Sequence, residues 1–343
     1  MSGRRIFPVL AAFTAVALGA ALTAGCSKPS PGPKEKPAGT APVRGEAAPS
    51  ASAPFWVDPD SDAARQVRTW EKQGRTEDAG ILRRISARPV ADWPSGDDPA
   101  PEIRSAVRAA ARTGHSVLLV AYNIPHRDCG AYSAGGAADA AVYRSWIGEF
   151  AAAIGKAPAT VVLEPDALPH IADGCTPAEN HDERFTLLSE AVGTLGKLPH
   201  TKVYLDAGNA DWINDPAKMA GPLRRAGIGR ADGFALNVAN FQTDATARSY
   251  GARLSALLDG AHFVIDTSRN GNGPLPGDRA EAWCNPPGRA LGTPPTTRTG
   301  DDGLDAYLWI KRPGDSDGTC RGGPSAGTWW PDYALGLARR AKS

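Results

Sequence analysis

The sequence predicts an α/β fold, a distorted β/α barrel of about seven parallel strands with an active-site cleft at the C-terminal strand ends. Three observations predict it. Short apolar runs such as Val161-Val162-Leu163 read as strands buried on both faces. Such runs alternate with longer stretches of helical period, the pattern of a parallel sheet with crossover helices. The runs also end on carboxylates: Val161-Val162-Leu163 on Glu164-Pro165-Asp166, Lys202-Val203-Tyr204-Leu205 on Asp206, and His262-Phe263-Val264-Ile265 on Asp266. Pro165 cannot donate to a sheet ladder, so its strand stops there. The C-terminal ends of parallel barrel strands converge on one face, so these aspartates are expected to share a cleft.

Taken in order, residues 1–26 read as a lipoprotein-type signal peptide. Arg4 and Arg5 give a positive start, an apolar run follows, and Leu22-Thr23-Ala24-Gly25-Cys26 resembles a bacterial lipobox whose cysteine is acylated. Residues 27–54 carry seven prolines and almost no large apolar side chains, so they read as a disordered tether. Residues 55–343 then read as one globular domain. The expected location is the outer face of the cytoplasmic membrane, through the lipid at Cys26, or release outside the cell. A net charge of +1 and 42% hydrophobic residues describe an ordinary globular chain and give no basic excess for nucleic acid. A monomer is expected.

Within the domain, 55–74 reads as a helical entry with Phe55, Val67 and Trp70 as anchors, and 81–90 as a short element running into Ala91-Asp92-Trp93-Pro94. A helix over 101–113 is stopped by Gly114. A strand over 116–122 ends at Tyr122, and a polar, glycine-rich loop over 123–136 has the length of a functional one. Helices over 138–154 and 179–195 lead to strands over 159–164 and 201–206. A helix over 219–226 precedes a strand over 233–238, with Asn237 and Asn240 at its end. A helix over 245–258 precedes a strand over 262–266 and then Ser268-Arg269-Asn270-Gly271. The proline- and glycine-rich stretch 273–300 carries Trp283. A last strand over 305–310 runs into Lys311, Asp315 and Asp317, and a helix over 333–340 completes the domain.

Cys129, Cys175, Cys284 and Cys320 are an even number in an exported chain, which implies two disulfides and allows three pairings. Sequential pairing is favoured, because it would pin loops that each flank an aspartate. The spacings are wide, unlike structural zinc sites, so neither metal nor cofactor is expected.

Several aspartates with several tryptophans suit sugar hydrolysis. One carboxylic acid must protonate the leaving oxygen, and aromatic faces stack on pyranose rings. Any single aspartate reads equally as a helix cap or a solvated turn, Trp93 as a core residue, and Glu164 as a hydrogen-bond partner beside Asp166. The combination carries the inference. No phosphate loop or dinucleotide fingerprint occurs in the chain.

From residue 55 to its end the chain resembles glycoside hydrolase family 6, the inverting cellulases. The matching stretches are Tyr122-Asn-Ile-Pro-His-Arg-Asp-Cys129, Leu163-Glu-Pro-Asp-Ala-Leu168, Tyr204-Leu-Asp-Ala-Gly208 with Trp212, Asn237-Val-Ala-Asn240, Trp283-Cys-Asn-Pro-Pro-Gly288, and Leu308-Trp-Ile-Lys-Arg-Pro-Gly-Asp-Ser-Asp-Gly318. The resemblance implies Asp166 as general acid, Asp128 as the aspartate that modulates it, Asp317 as candidate base, Asp206 as a supporting aspartate and Tyr122 as the residue that distorts the ring. It implies that Arg127 and Arg269 hold the aspartates. Trp93, Trp212, Trp283, Lys311 and Asp315 match sugar-binding positions, and Asn237 and Asn240 are expected to bind substrate with them. It also supports the favoured disulfides. Two places depart from the family: its usual water-positioning serine is Ala134, with Ser133 just before it, and a usual histidine is Asn209.

The short stretch between Cys284 and Cys320 leaves little chain to roof a tunnel. The implied function is therefore an endo-β-1,4-glucanase that inverts the anomeric centre, with a β-1,4-glucan as partner. A chain-end cellobiohydrolase is the rival within the family. A surface lipoprotein that binds glucan without cutting it is the rival outside it, motivated by Ala134 and Asn209.

Overall fold

The computed structural model describes residues 54–277 and 281–342. The expected signal peptide with Cys26, and the tether except Pro54, lie outside the described residues.

Among the described residues, six parallel strands pair strictly in sequence order: β1 Val117–Ala121, β2 Ala159–Leu163, β3 Thr201–Asp206, β4 Gly233–Leu236, β5 His262–Asp266 and β6 Leu304–Leu308. The place of a seventh strand is taken by Ala91 and Asp92. The Ala91 N–H donates to the Trp309 carbonyl just beyond β6, and Asp92 exchanges bonds with Leu118 and Val120 of β1. The expectation of about seven strands is met by six strands and this two-sided bridge. The helices are α1 Asp62–Lys72, α2 Thr76–Ser86, α3 Ala100–Thr113, α4 Ala140–Ile154, the single turn α5 Pro169–Ala172, α6 His181–Leu195, α7 Ala217–Arg225, α8 Asp244–Leu257 and α9 Pro331–Arg340. Side-chain caps from Ser61, Asp139 and Thr243 fix the starts of α1, α4 and α8. The entry is extended before it is helical: Phe55 bridges to Ser116, and α1 begins only after the Ser61 cap.

Strand alternation assigns the two faces. Leu118 and Val120, Val162, Tyr204, Ala235, Val264, Ala306 and Leu308 fill the interior. Their neighbours Val117, Leu119, Val161, Leu163, Val203, Leu205, Phe234, Phe263 and Ile265 face the helices. Each such side chain contributes roughly 1.5–3 kcal/mol on burial, so the register is strongly fixed. Period two then carries the interior face upward: Tyr122 follows Val120, Glu164 follows Val162, Asp206 follows Tyr204 and Asp266 follows Val264. The polar residues of the strand ends are thereby aimed at the barrel mouth. A second core, of Val67, Trp70, Leu82, Ile85, Trp309 and Leu337, binds α1, α2 and α9 beneath the last strand.

Candidate active site

The exit of β2 is a buried polar knot. Glu164 is 1% exposed and accepts the backbone N–H groups of Asn123, at 3.0 Å, and Ile124, at 2.9 Å. Burial pushes its carboxyl up to about 7 against the pull of those donors. This ties the exit of β1 to the exit of β2. Glu164 and Asp166 both take left-handed backbone, φ 50° and 70°, a strain of about 1–3 kcal/mol per residue that persists only where the surroundings impose it. The twist turns Asp166 toward Tyr122, whose hydroxyl donates to Asp166 Oδ2 at 3.4 Å. The Asp166 N–H in turn donates to Asp206 Oδ2 at 2.8 Å. Burial raises both of these carboxyls above the ordinary range, and repulsion from Asp128 adds to it for Asp166. At least one of them is expected to hold a proton where ordinary aspartates are ionised.

Asp128 sits on the loop after β1, also with positive φ, 55°. Its Oδ2 accepts the Ser133 N–H at 2.6 Å. The loop is anchored on three sides. Cys129 is disulfide-bonded to Cys175. The buried Arg184 of α6 donates to the carbonyls of Pro125, His126 and Ala167 and to the Thr176 hydroxyl, linking the loops after β1 and β2. Arg127 is the third anchor and corrects an expectation: its guanidinium donates to the carbonyls of Tyr122 and Ser133, not to an aspartate. The loop folds back through an Arg127–Gly135 bridge, so carbonyls lie nearest to it.

Asp317 has the opposite environment. Arg269 Nη1 lies 2.8 Å from Oδ2 and Lys311 Nζ 3.3 Å from Oδ1. The Asn285 N–H donates to Oδ2 at 3.0 Å, and the Asn285 side chain accepts the Asp317 N–H at 2.8 Å. Burial would raise this carboxyl, but Arg269 and then Lys311 hold it below the ordinary range. Cys284, bonded to Cys320, fixes Asn285 in place.

A strand-end mouth with one group of protonatable aspartates and one aspartate fixed as an anion is a layout for acid-assisted bond cleavage. The profile described as Glycosyl hydrolases family 6 matches residues 50–341. The chain belongs to glycosyl hydrolases family 6. It is 40% identical to endoglucanase A of Cellulomonas fimi over 298 residues, which is 86% of this chain and 63% of that protein, so it spans less than two thirds of that relative. It is 43% identical to endoglucanase 1 of Streptomyces halstedii over 291 residues, 82% of this chain and 87% of that one. Among solved structures, the endoglucanase Cel6 of Mycobacterium tuberculosis, in complex with a thio-linked cellobioside, superposes with a TM-score of 0.79 at 44% identity, covering 84% of this chain and 98% of that one.

Within this family 6 fold, the expected sugar-binding side chains separate into two groups. Trp93 is half-buried, donates its indole N–H to the Ile310 carbonyl at 2.8 Å and meets the Tyr122 ring edge-on at 5.5 Å. Trp212 donates to Asp173 at 2.8 Å, and Trp283 is exposed, 6.0 Å from the Tyr132 ring. Lys311 reaches Asp317 as described, and Asp315 is 5% exposed with Arg312 3.6 Å away. Asn240 is half-buried at the exit of β4. Asn237, by contrast, corrects the expectation of a substrate contact. It is fully buried, and its amide bonds the Asp266 and Gln242 carbonyls and the Gln242 N–H, holding the turn into α8. Asp266 also leaves the cleft: it accepts the N–H groups of Ala239, Ser268, Ile310 and Lys311, a staple beneath the mouth.

Sequence reasoning missed His170, which sits one turn past Asp166 with Nε2 3.8 Å from Asp128 Oδ1. The signal was present: Pro169 opens a one-turn helix three residues after the strand-end aspartate. Asp128, Asp166 and His170 offer donor atoms within 4.8 Å of one another, as do Cys129, His170 and Cys175. The second set is closed by the disulfide. The first would need a neutral imidazole, against carboxylates that favour its protonated form.

Proposed function

We propose that this family 6 protein is an endo-β-1,4-glucanase that cleaves internal bonds of cellulose-type glucans with inversion of the anomeric centre. The observation that carries the reading is the opposed surroundings of Asp166, beside Tyr122 and Asp206, and Asp317, between Arg269 and Lys311. In inverting hydrolysis one carboxyl group gives its proton to the departing sugar oxygen while water attacks the other face of the ring, opposite a carboxylate. Asp166, raised above the ordinary carboxylate range, is the donor: its proton passes to O4 of the leaving chain as the C1–O4 bond breaks. Asp317, pinned as an anion by Arg269 and Lys311, supplies fixed negative charge against the oxocarbenium-like transition state. Its low basicity makes it a poor final holder of the water's proton, which passes on to solvent. Tyr122, between Asp166 and Trp93, is placed to press on the ring being cut.

Endo action is supported by the names of the similar proteins and by the short stretch between Cys284 and Cys320, 36 positions apart. Two disulfides belong to an oxidising compartment, which supports action outside the cell. The test compares the viscosity drop of carboxymethylcellulose with the reducing ends released, for wild type and Asp166→Ala. A fast drop with few ends, abolished in the variant, is expected. Reducing ends rising without early loss of viscosity would overturn endo action. Binding without polymer loss, on this and on mixed-linkage glucan, would overturn hydrolysis itself.

A further inference from the structure

His170 is 14% exposed at its side chain and stands between two carboxylates on different elements. Its Nε2 faces Asp128 Oδ1 at 3.8 Å, and its Nδ1 faces Asp173 Oδ2 at 3.5 Å. The same Asp173 oxygen accepts the Trp212 indole N–H at 2.8 Å, and the Trp212 ring meets the imidazole edge-on, centroids 4.8 Å apart. The imidazole's freedom is thus restricted from the loops after β1 and β3. Its own backbone is fixed too, with its N–H on the Asp166 carbonyl at 2.9 Å and its carbonyl on the Thr176 N–H at 2.8 Å. A carboxylate facing each ring nitrogen favours the form with a proton on both.

We propose that His170 is a positioning residue of the reaction: as an imidazolium clamped between Asp128 and Asp173 it holds the Asp128 carboxylate in place and sets the pH at which Asp166 gives up its proton. The inference rests on the glucanase reading above and adds a residue to it. The titratable groups that face the ring are Asp128 from the loop after β1, Asp166 from the loop after β2 and Asp173 from its own turn. Trp212 is neutral, and the Cys129–Cys175 bond does not titrate. Lys311, beyond β6, is the other cation that acts on Asp166. Against burial, which would lower it, Asp128 and Asp173 push His170 up to about 9, so it stays charged while Asp166 titrates. A cation beside Asp166 favours its ionised form. His170 therefore opposes burial and the Asp128 charge, keeping the acid from being held too tightly to release its proton.

The experiment measures kcat against pH on hydroxyethylcellulose, a neutral polymer, for wild type, His170→Gln and His170→Lys. Loss of the cation raises Asp166, so the alkaline limb of His170→Gln is expected to move up by about one pH unit. His170→Lys, which restores charge, is expected to move it back toward wild type. A uniform loss of kcat with the limb unmoved would make His170 structural and overturn the inference. An inert wild type would instead overturn the glucanase reading. Should His170→Gln fail to fold, the wild-type ring decides through its Cε1–H resonance. Titration well above the ordinary histidine range upholds the inference, and a midpoint at or below about 6.5 overturns it.

Discussion

At the ends of β1, β2 and β3, Asp128 and Asp166 share one imidazole and Asp206 accepts the Asp166 N–H, whereas beyond β5 and β6 a single aspartate stands between an arginine and a lysine. The residue type is the same, and desolvation pushes Asp166, Asp206 and Asp317 in one direction. The difference lies in what surrounds them. Asp166 and Asp206 have each other, with Asp128 beside Asp166, and they rise although His170 and Lys311 pull Asp166 back and backbone N–H groups pull Asp206 back. Asp317 has two cations and a backbone N–H, and it falls. One barrel mouth thereby holds a proton donor and a permanent anion at the same pH, a division of roles made by neighbours, not by residue identity.

The largest break in that contrast is Asp166→Asn, which keeps shape and removes the proton. General acid catalysis is worth about 10²–10⁴ in rate, and a loss of kcat in that range is expected on an unactivated glucan. A substrate with a good leaving group should recover much of it; equal loss on both substrates would remove Asp166 from the acid role.

The anion half breaks next, through Arg269→Met. Asp317 then remains buried without its main partner, and a destabilisation of about 3–5 kcal/mol at neutral pH is expected from chemical denaturation. The sign with pH follows from the lowered pKa of Asp317. Its stabilising contribution is present above the unfolded-state carboxylate pKa, near 4, and is lost as pH falls through the lower folded value. The gap between wild type and variant should therefore narrow on acidification; a constant gap would assign Arg269 to packing, since its guanidinium also lies over the Phe241 ring.

Asp128→Asn sharpens the comparison from within the acid half. Removing that negative charge lowers Asp166, so the alkaline limb of kcat should move down by about one unit or less, opposite in sign to His170→Gln. A shift in the same direction for both variants would mean that loop displacement, not charge, controls the acid.

The sequence revealed the acid half more clearly than the anion half, for a physical reason. Asp166, Asp206 and Tyr122 follow directly on apolar runs, so strand period and Pro165 point them into the mouth. The barrel itself was legible from the same runs. Asp317 lies nine residues past the end of β6, and what fixes it is a set of long-range contacts, Arg269 after β5 and Asn285 beside Cys284, that no local pattern encodes. Strand parity also misleads where a carboxylate meets backbone donors: Asp266 has the parity of Asp206, yet four N–H groups draw it beneath the cleft. Asn237 is a second such case, since a polar residue at a strand exit serves a turn as readily as a substrate.

Asn209 marks the edge of the acid half and gives the smallest expected effect. Its Oδ1 accepts the N–H groups of Asp211 and Trp212, each at 3.1 Å, so it shapes the turn that presents the indole. In Asn209→Ala those two donors lose their partner, and the stability lost should be about 1 kcal/mol, as for a missing cap. If Trp212 serves as a sugar platform, its looser turn should raise KM several-fold while kcat and the alkaline limb stay near wild type. Trp212 also touches His170 and Asp173, however, so the alternative has a distinct signature. A fall in kcat with a displaced limb and unchanged KM would place Trp212 with the acid's supports and leave the sugar-binding role to Trp93 and Trp283.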